Sequence, residues 1–275
     1  MREIRIIEQQ TIGKHSPATC EDGIVATGSH VAVIDGSTSK AARQLSPHMR
    51  NGRLAMMLVS EVLRQLPAEA RCEDFCTLAT HHVGRCHATH HLSTERLIAH
   101  PEERLTASVA VYSLYHDEVW LVGDCQCLAG GTLHDNPKPE EERIARHRAS
   151  ILRQMLEAGT TDVAALQRHD VGRDLIVDEI IRTCHSQNKL FSVIDGFPVS
   201  MRHVRRIDVA ETSEVVLATD GYPFLRPTLE ASEEALATQL RTDPLCIHHF
   251  LATKGVMAGN LSFDDRAYVR FVINR

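Results

Sequence analysis

The chain has 275 residues, 43% of them hydrophobic and 24% charged, with a formal net charge of −6. That is enough for one large domain with a sizeable core, and the acidic balance gives no electrostatic reason to expect a nucleic-acid partner. No apolar run is long enough to span a bilayer, so no membrane is expected, and the charged start MREIRIIEQQ lacks the apolar centre of a signal peptide. The expected location is the cytoplasm, where the 8 cysteines are thiols rather than a disulfide framework.

In chain order, the alternation around Ile4 and Ile6 predicts an edge strand over 2–12, broken at Gly13 and Pro17. HVAVID predicts a short strand over 30–35 that stops at Asp35-Gly36. Apolar residues at helical spacing predict a helix over 50–66, ended before Pro67, and a second over 74–92. Strands over 106–114, 118–123 and 126–133 follow at separations that predict an antiparallel meander. A helix is predicted over 137–159 with Gly159 as its stop, and another over 161–184, interrupted near Gly172. Strands return over 189–195, 202–210 and 214–220, then two helices near 230–256 and a last strand over 267–274. Strands and helices come in blocks without repeats or long linkers, which predicts a single α+β domain, 1–275, with antiparallel sheets.

The acidic residues that stand at strand ends or turns are Glu21-Asp22, Asp35-Gly36, Asp124, Asp220-Gly221 and Asp264-Asp265. A carboxylate there is held by the sheet and presented at its rim. A following glycine lets the backbone turn close to a ligand. Hard cations such as magnesium and manganese need oxygen ligands of this kind. Taken singly, each Asp-Gly is more simply a turn; Asp195-Gly196 has the same look and is assigned no metal.

Order and context make these signals specific. The series CEDG (20–23), VAVIDGST (31–38), LTASVAV (105–111), VWLVGDCQCL (119–128), VVLATDGY (215–222) and FDDRAYV (263–269) resembles the metal-dependent protein phosphatases of type 2C, and its DGST turn resembles their bacterial members most. The resemblance spans about residues 4–273 and implies a four-layer sandwich, two antiparallel sheets face to face with helices on both outer faces. It further implies two ions, manganese or magnesium, activating a water that attacks phosphoserine or phosphothreonine in a protein substrate. Position by position, Asp35 resembles the bridging carboxylate and the Gly36 carbonyl a direct ligand. Asp220 and Asp264 resemble the remaining carboxylates, Glu21 and Asp22 the acidic pair, and Asp124 a ligand of a third, weaker ion. Two positions depart from the pattern. Pro17 stands where an arginine commonly grips the phosphate, leaving Lys14 and His15 as weak candidates without a bidentate fork. Ser37 stands where many members carry a proton-donating histidine; His30 and His48 are near it in sequence.

The segment 80–91 places His82, Cys86 and His90 on one face of a helix, with Cys72 and Cys76 before it. These could suit zinc, but no zinc-finger spacing is present, and a surface helix with polar histidines is the favoured reading. Cys125 and Cys127 are expected to be core thiols, and neither Ser37 nor Ser108 has the context of a nucleophile. Three functions follow: a metal-dependent phosphatase, a catalytically weak relative that binds phosphoproteins as a regulatory module, and a zinc-binding structural protein.

Overall fold

Alternation along residues 3–12 does produce a strand, and it lies at a sheet edge as expected. The computed structural model describes residues 2–41 and 43–274. The first half contains β1 (Glu3–Ile12), β2 (Asp22–Ala26), β3 (His30–Gly36), α1 (Asn51–Gln65), α2 (Cys72–Thr89), α3 (Thr94–Ala99), β4 (Ala107–Ser113) and β5 (Glu118–Val122). The second half contains β6 (Gln126–Ala129), β7 (Thr132–His134), α4 (Glu141–Glu157), α5 (Val163–Arg168), α6 (Val171–Cys184), β8 (Arg205–Asp208), β9 (Glu214–Ala218), α7 (Leu229–Thr242) and β10 (Arg266–Asn274). One sheet has the order β1-β10-β9-β6-β7 and the other β2-β3-β4-β5-β8, and every pairing is antiparallel.

The two sheets pack face to face because their inward positions are apolar on every second residue. Val31, Val33, Ala110, Tyr112 and Leu121 meet Cys127, Leu217, Val269 and Phe271, all buried. The Tyr112 and Phe271 rings lie 5.0 Å apart across the interface; full burial of each such side chain stabilises the fold by about 1.5–3 kcal/mol. On one outer face, α1 buries Ala55, Met56, Val59 and Leu63 against the sheet, with Phe75 and Ala79 of α2 in the same cluster. Pro67 follows its C-cap Leu66, so α1 stops where predicted. On the other outer face, Tyr222, Leu225 and the first residue of α7 pack on Val216 and Tyr268. The result is the α+β layering expected from the sequence. Among the described residues, no helix is long and apolar enough to cross a membrane.

Four expectations are corrected. The meander ends at β5: β5 pairs with β8, and β6 belongs to the other sheet, paired with β7 and β9. Gly123, at φ +87°, turns the chain between the two. Residues 189–195 form isolated bridges rather than a strand, since the Asn188 side chain takes both the N–H and the carbonyl of Val193. Only one helix forms in 230–256. Pro244 follows it, and the Asp243 carboxylate gathers the N–H groups of Ile247, His248 and His249 into a loop. The break in 161–184 falls at 169–170, before Gly172, with Asp170 capping α6.

Candidate metal centre

Strand ends bring the acidic residues to one rim of the sandwich. Asp22 begins β2 and Asp35 lies one residue from the end of β3, directly opposite each other in register. Asp35 is also opposite Ser108 of β4, whose hydroxyl donates to Asp124 Oδ1 at 2.6 Å. Asp220 follows β9 and Asp264 precedes β10; a Cβ on Gly221 would lie 2.1 Å from the Asp265 carbonyl, so the two turns are in contact. The Gly36 N–H donates to the Glu21 carbonyl at 3.1 Å. Gly36 and Gly52 touch at the start of α1, where a Cβ on Gly52 would lie 2.5 Å from Glu21 Oε1 and 2.6 Å from the Gly36 carbonyl oxygen. A side chain at Gly52 would fill the space beside those two oxygens.

The electrostatics follow from crowding. Burial, then the charges of Asp35, Asp264 and Asp220, push Asp22 well above the ordinary carboxylate range. Burial, then Asp124 and Asp264, push Asp35 up to about 7. Asp220 is raised for the same reasons, burial first and then Asp35 and Asp264. The remaining carboxylates are neutralised. Burial alone would raise Asp264, but Lys254 and Lys14 outweigh it and hold the group at about 2. Asp124 is likewise held low by Lys138, whose Nζ lies 2.5 Å from Oδ2.

Lys14, expected as a weak phosphate candidate, is committed to carboxylates: its Nζ lies 3.1 Å from Asp264, 3.0 Å from Asp265 and 3.7 Å from Glu21. His15 bonds Asn260 at 3.2 Å. Lys138 and Lys254 are site residues that sequence reasoning missed. Asp265, picked out in the sequence only as the neighbour of Asp264, is buried and accepts from the Lys14 N–H at 2.7 Å. Lys40 is another: its amine donates to Ser37 Oγ at 2.9 Å. Burial, aided by the positive charges of Lys138, Arg173 and Lys254, lowers that amine to about 8.

The histidine helix is organised otherwise. His82 bonds Glu61 at 2.8 Å, Cys86 packs against the core beneath α1, and His87, not singled out in the sequence, is buried and accepts the Leu105 N–H at 3.0 Å. Cys125 and Cys127 are both core thiols. Asp195 is paired with Arg104 at 2.9 Å, as befits a structural Asp-Gly.

Among the described residues, no group of three or more His, Cys, Asp or Glu side chains is placed so that it could hold a metal ion. Two of the expected ligands, Asp264 and Asp124, are instead held by lysines. What speaks for a cation is two buried oxygens. Asp22 Oδ2 and Glu21 Oε1 are buried with no hydrogen-bond partner among the described residues, and such orphaned oxygens are costly unless a cation or donor meets them.

No protein family's sequence profile matches the chain, and no curated protein matches it in sequence. Among solved structures, the catalytic domain of serine/threonine protein phosphatase PstP in complex with two manganese ions is similar at 14% identity over 100% of both chains, with a TM-score of 0.47. Serine/threonine phosphatase Stp1 from Staphylococcus aureus is similar at 13% identity over 100% of this chain and 96% of that one, with a TM-score of 0.48. PppA, a regulatory component of T6SS in Pseudomonas aeruginosa, is similar at 12% identity over 100% of both chains, with a TM-score of 0.46. At this distance the likeness stops at the chain path, and the chemistry must come from the site.

Proposed function

We propose that this chain is a single-domain metal-dependent phosphatase of the type 2C kind, acting in the cytoplasm on phosphoserine and phosphothreonine in proteins. Manganese or magnesium would be held by Asp35, the Gly36 carbonyl, Asp220 and Asp264, with Glu21 and Asp22 beside them and Lys14 and Lys254 displaced from Asp264. One observation carries the reading: a surplus of carboxylate at one rim, with the buried Asp22 Oδ2 and Glu21 Oε1 left without a donor. Oxygen-only donor sets of this kind select hard cations over zinc. All eight cysteines are free, in keeping with a reducing compartment.

When bound, a divalent cation there supplies Lewis acidity, which lowers the pKa of a water and offsets charge on the phosphoryl oxygens. The chain's own residues position and protonate. Asp22 and Asp35 are fixed across two hydrogen-bonded strands, so their separation is set by the sheet. Glu21 accepts the Thr38 hydroxyl on Oε2, which leaves Oε1 directed at the site. Ser37 is too weak an acid to protonate a departing alkoxide near neutral pH. Lys40, bonded to Ser37 and lowered to about 8, puts a proton-bearing group where one is otherwise missing.

The test is hydrolysis of an aryl phosphate and a phosphothreonine peptide during a manganese titration. Activity that requires the ion, is abolished by chelation and is lost in Asp35→Asn and Asp220→Asn is expected. The aryl phosphate should turn over faster, because its leaving group needs little protonation. Activity that survives chelation contradicts the proposal. A second reading, a weak relative that binds phosphoproteins, is favoured by Pro17 and by the engagement of Lys14 with carboxylates; peptide binding without turnover would select it.

A further inference from the structure

The short turn Pro17–Thr19 and the loop before α1 enclose a cavity of about 300 Å³. Its polar lining is Thr19, Gln44, Ser46, His48, Arg50 and Arg53, and among the described residues it holds no Asp or Glu. Two guanidinium groups in one hollow without a carboxylate stand out in a chain of net charge −6. Buried and half-buried arginines elsewhere, Arg104, Arg148, Arg266 and Arg270, each pair with a carboxylate. The exposed Arg50 side chain forms no hydrogen bond or ion pair with the described residues. Half-buried Arg53 uses Nη1 alone, on the Cys20 carbonyl at 2.6 Å and the Pro17 carbonyl at 3.4 Å, which leaves Nε and Nη2 for a ligand. The neighbours add donors. Gln44 Oε1 accepts the Asn51 N–H at 3.1 Å, so its amide NH2 remains; Ser46 Oγ accepts the His48 N–H at 3.2 Å, so its hydroxyl proton remains.

Local structure fixes this cavity against the acidic rim. The buried Asn51 side chain holds the loop, accepting the Leu45 N–H at 2.9 Å and donating to the Arg43 carbonyl at 2.9 Å. Gly52, between the two arginines, is the residue of α1 that touches Glu21 and Gly36. The Cys20 carbonyl that Arg53 grips belongs to the residue before Glu21. Rim and cavity therefore share the first turn of α1.

We propose that the cavity is a substrate subsite for an oxyanion, an acidic or phosphorylated side chain that the phosphoprotein carries close to the phosphate to be hydrolysed. The inference rests on the phosphatase reading above and adds a substrate class to it: proteins whose target phosphoserine or phosphothreonine has an anionic neighbour. A guanidinium meets carboxylate or phosphate through two parallel N–H donors, and Nε and Nη2 of Arg53 form such a pair. Arg50, more exposed, adds charge that draws the anion in. Carboxylates at the rim repel an anionic chain, so an attractive hollow beside them also sets its approach.

The test is steady-state hydrolysis, by the full chain with manganese, of phosphothreonine peptides flanked by alanine, by glutamate, or by a non-hydrolysable phosphonate analogue of phosphoserine. Wild type is expected to favour the anionic peptides by roughly tenfold in kcat/KM, mostly through KM, because charge-assisted hydrogen bonds are gained. Which anionic peptide is preferred distinguishes a second phosphate from an acidic residue. Arg50→Glu and Arg53→Gln should bring the ratio of anionic to neutral peptide close to one, and Arg50→Lys should keep it. Arg53→Gln also loses the bonds to the Pro17 and Cys20 carbonyls; Arg50 has no such bonds, so its variants carry the test if that turn shifts. A merely structural role would lower all peptides alike and leave the ratio unmoved. Equal kcat/KM for the three peptides in wild type, or a preference unchanged by Arg50→Glu and Arg53→Gln, would overturn the inference and leave the phosphatase reading standing. No hydrolysis of any peptide or of an aryl phosphate would overturn both.

Discussion

Asp35→Asn should make the metal-free protein more stable while destroying its response to manganese. Asp35 is raised from 3.8 to about 7, by burial first and then by Asp124 and Asp264. The sign follows from proton linkage. A carboxyl whose pKa is raised by folding favours the folded state while it is protonated, and that contribution is lost as pH rises from about 4 to about 7. A shift of this size is worth at most about 4 kcal/mol once the group is fully ionised. Asp35 is only half-buried, so water screens part of it and about 1–2 kcal/mol is expected. For a chain of this length that is about 2–8 °C in melting temperature. The assay is thermal unfolding of wild type and Asp35→Asn with chelator at pH 4 and pH 8, then with manganese at pH 8. The variant should melt higher at pH 8 with chelator and equal wild type at pH 4. With manganese the order should reverse, because only wild type keeps the charge that binds the ion. A variant that melts below wild type at pH 8 in chelator, or that gains as much from manganese, refutes the reasoning.

Other substitutions test the frame around the site. Arg148 is fully buried and bonds Asp170 at 2.6 Å, the Leu245 carbonyl at 2.9 Å and the Ala252 carbonyl at 3.1 Å, so it ties α4 and α6 to the loop that carries Lys254. Arg148→Met should cost about 3–5 kcal/mol in urea unfolding, because it strands the buried Asp170 charge; a loss under about 1 kcal/mol contradicts this account. Gly123→Ala places a Cβ 2.2 Å from Ser108 Oγ at a φ of +87°. A loss of about 2–3 kcal/mol is expected from the strained backbone and the broken Ser108–Asp124 bond, again read by urea unfolding. Burial, aided by Arg104, holds His87 at about 4 against an ordinary 6.5. A histidine depressed in this way contributes stability above pH 6.5 that is lost as pH falls toward 4. His87→Gln should flatten that part of the stability profile, and His30, also lowered to about 4, should keep the rest.

The strand-end positions of Asp35, Asp124 and Asp220 were legible because a run of apolar residues stops there at Asp-Gly or Asp-Cys. That Asp22 and Asp35 face each other was not legible, because the strand Asp22–Ala26 was not predicted; the tight connection to β3 fixes their register. The lysines were not legible. Lys14 meets Asp264 across 250 residues of chain, and Lys138 lies in a Pro-Lys-Pro stretch with no periodicity to indicate where its side chain goes. Short spacing suggested a meander through β6, but nothing local indicates that a single positive-φ glycine sends the chain to the opposite sheet. Residues 189–195 and 243–256 misled for a related reason. Asn188 and Asp243 satisfy backbone groups with their own side chains, which competes with the ladder or helix that the apolar residues suggest.

The most direct measurement is an anomalous-diffraction map from crystals of the chain soaked in manganese. The account predicts manganese at the rim, against the carboxylates of Asp35, Asp220 and Asp264 and beside Glu21 and Asp22. No peak at these aspartates, or a peak at His82 and Cys86 of α2 instead, would contradict it.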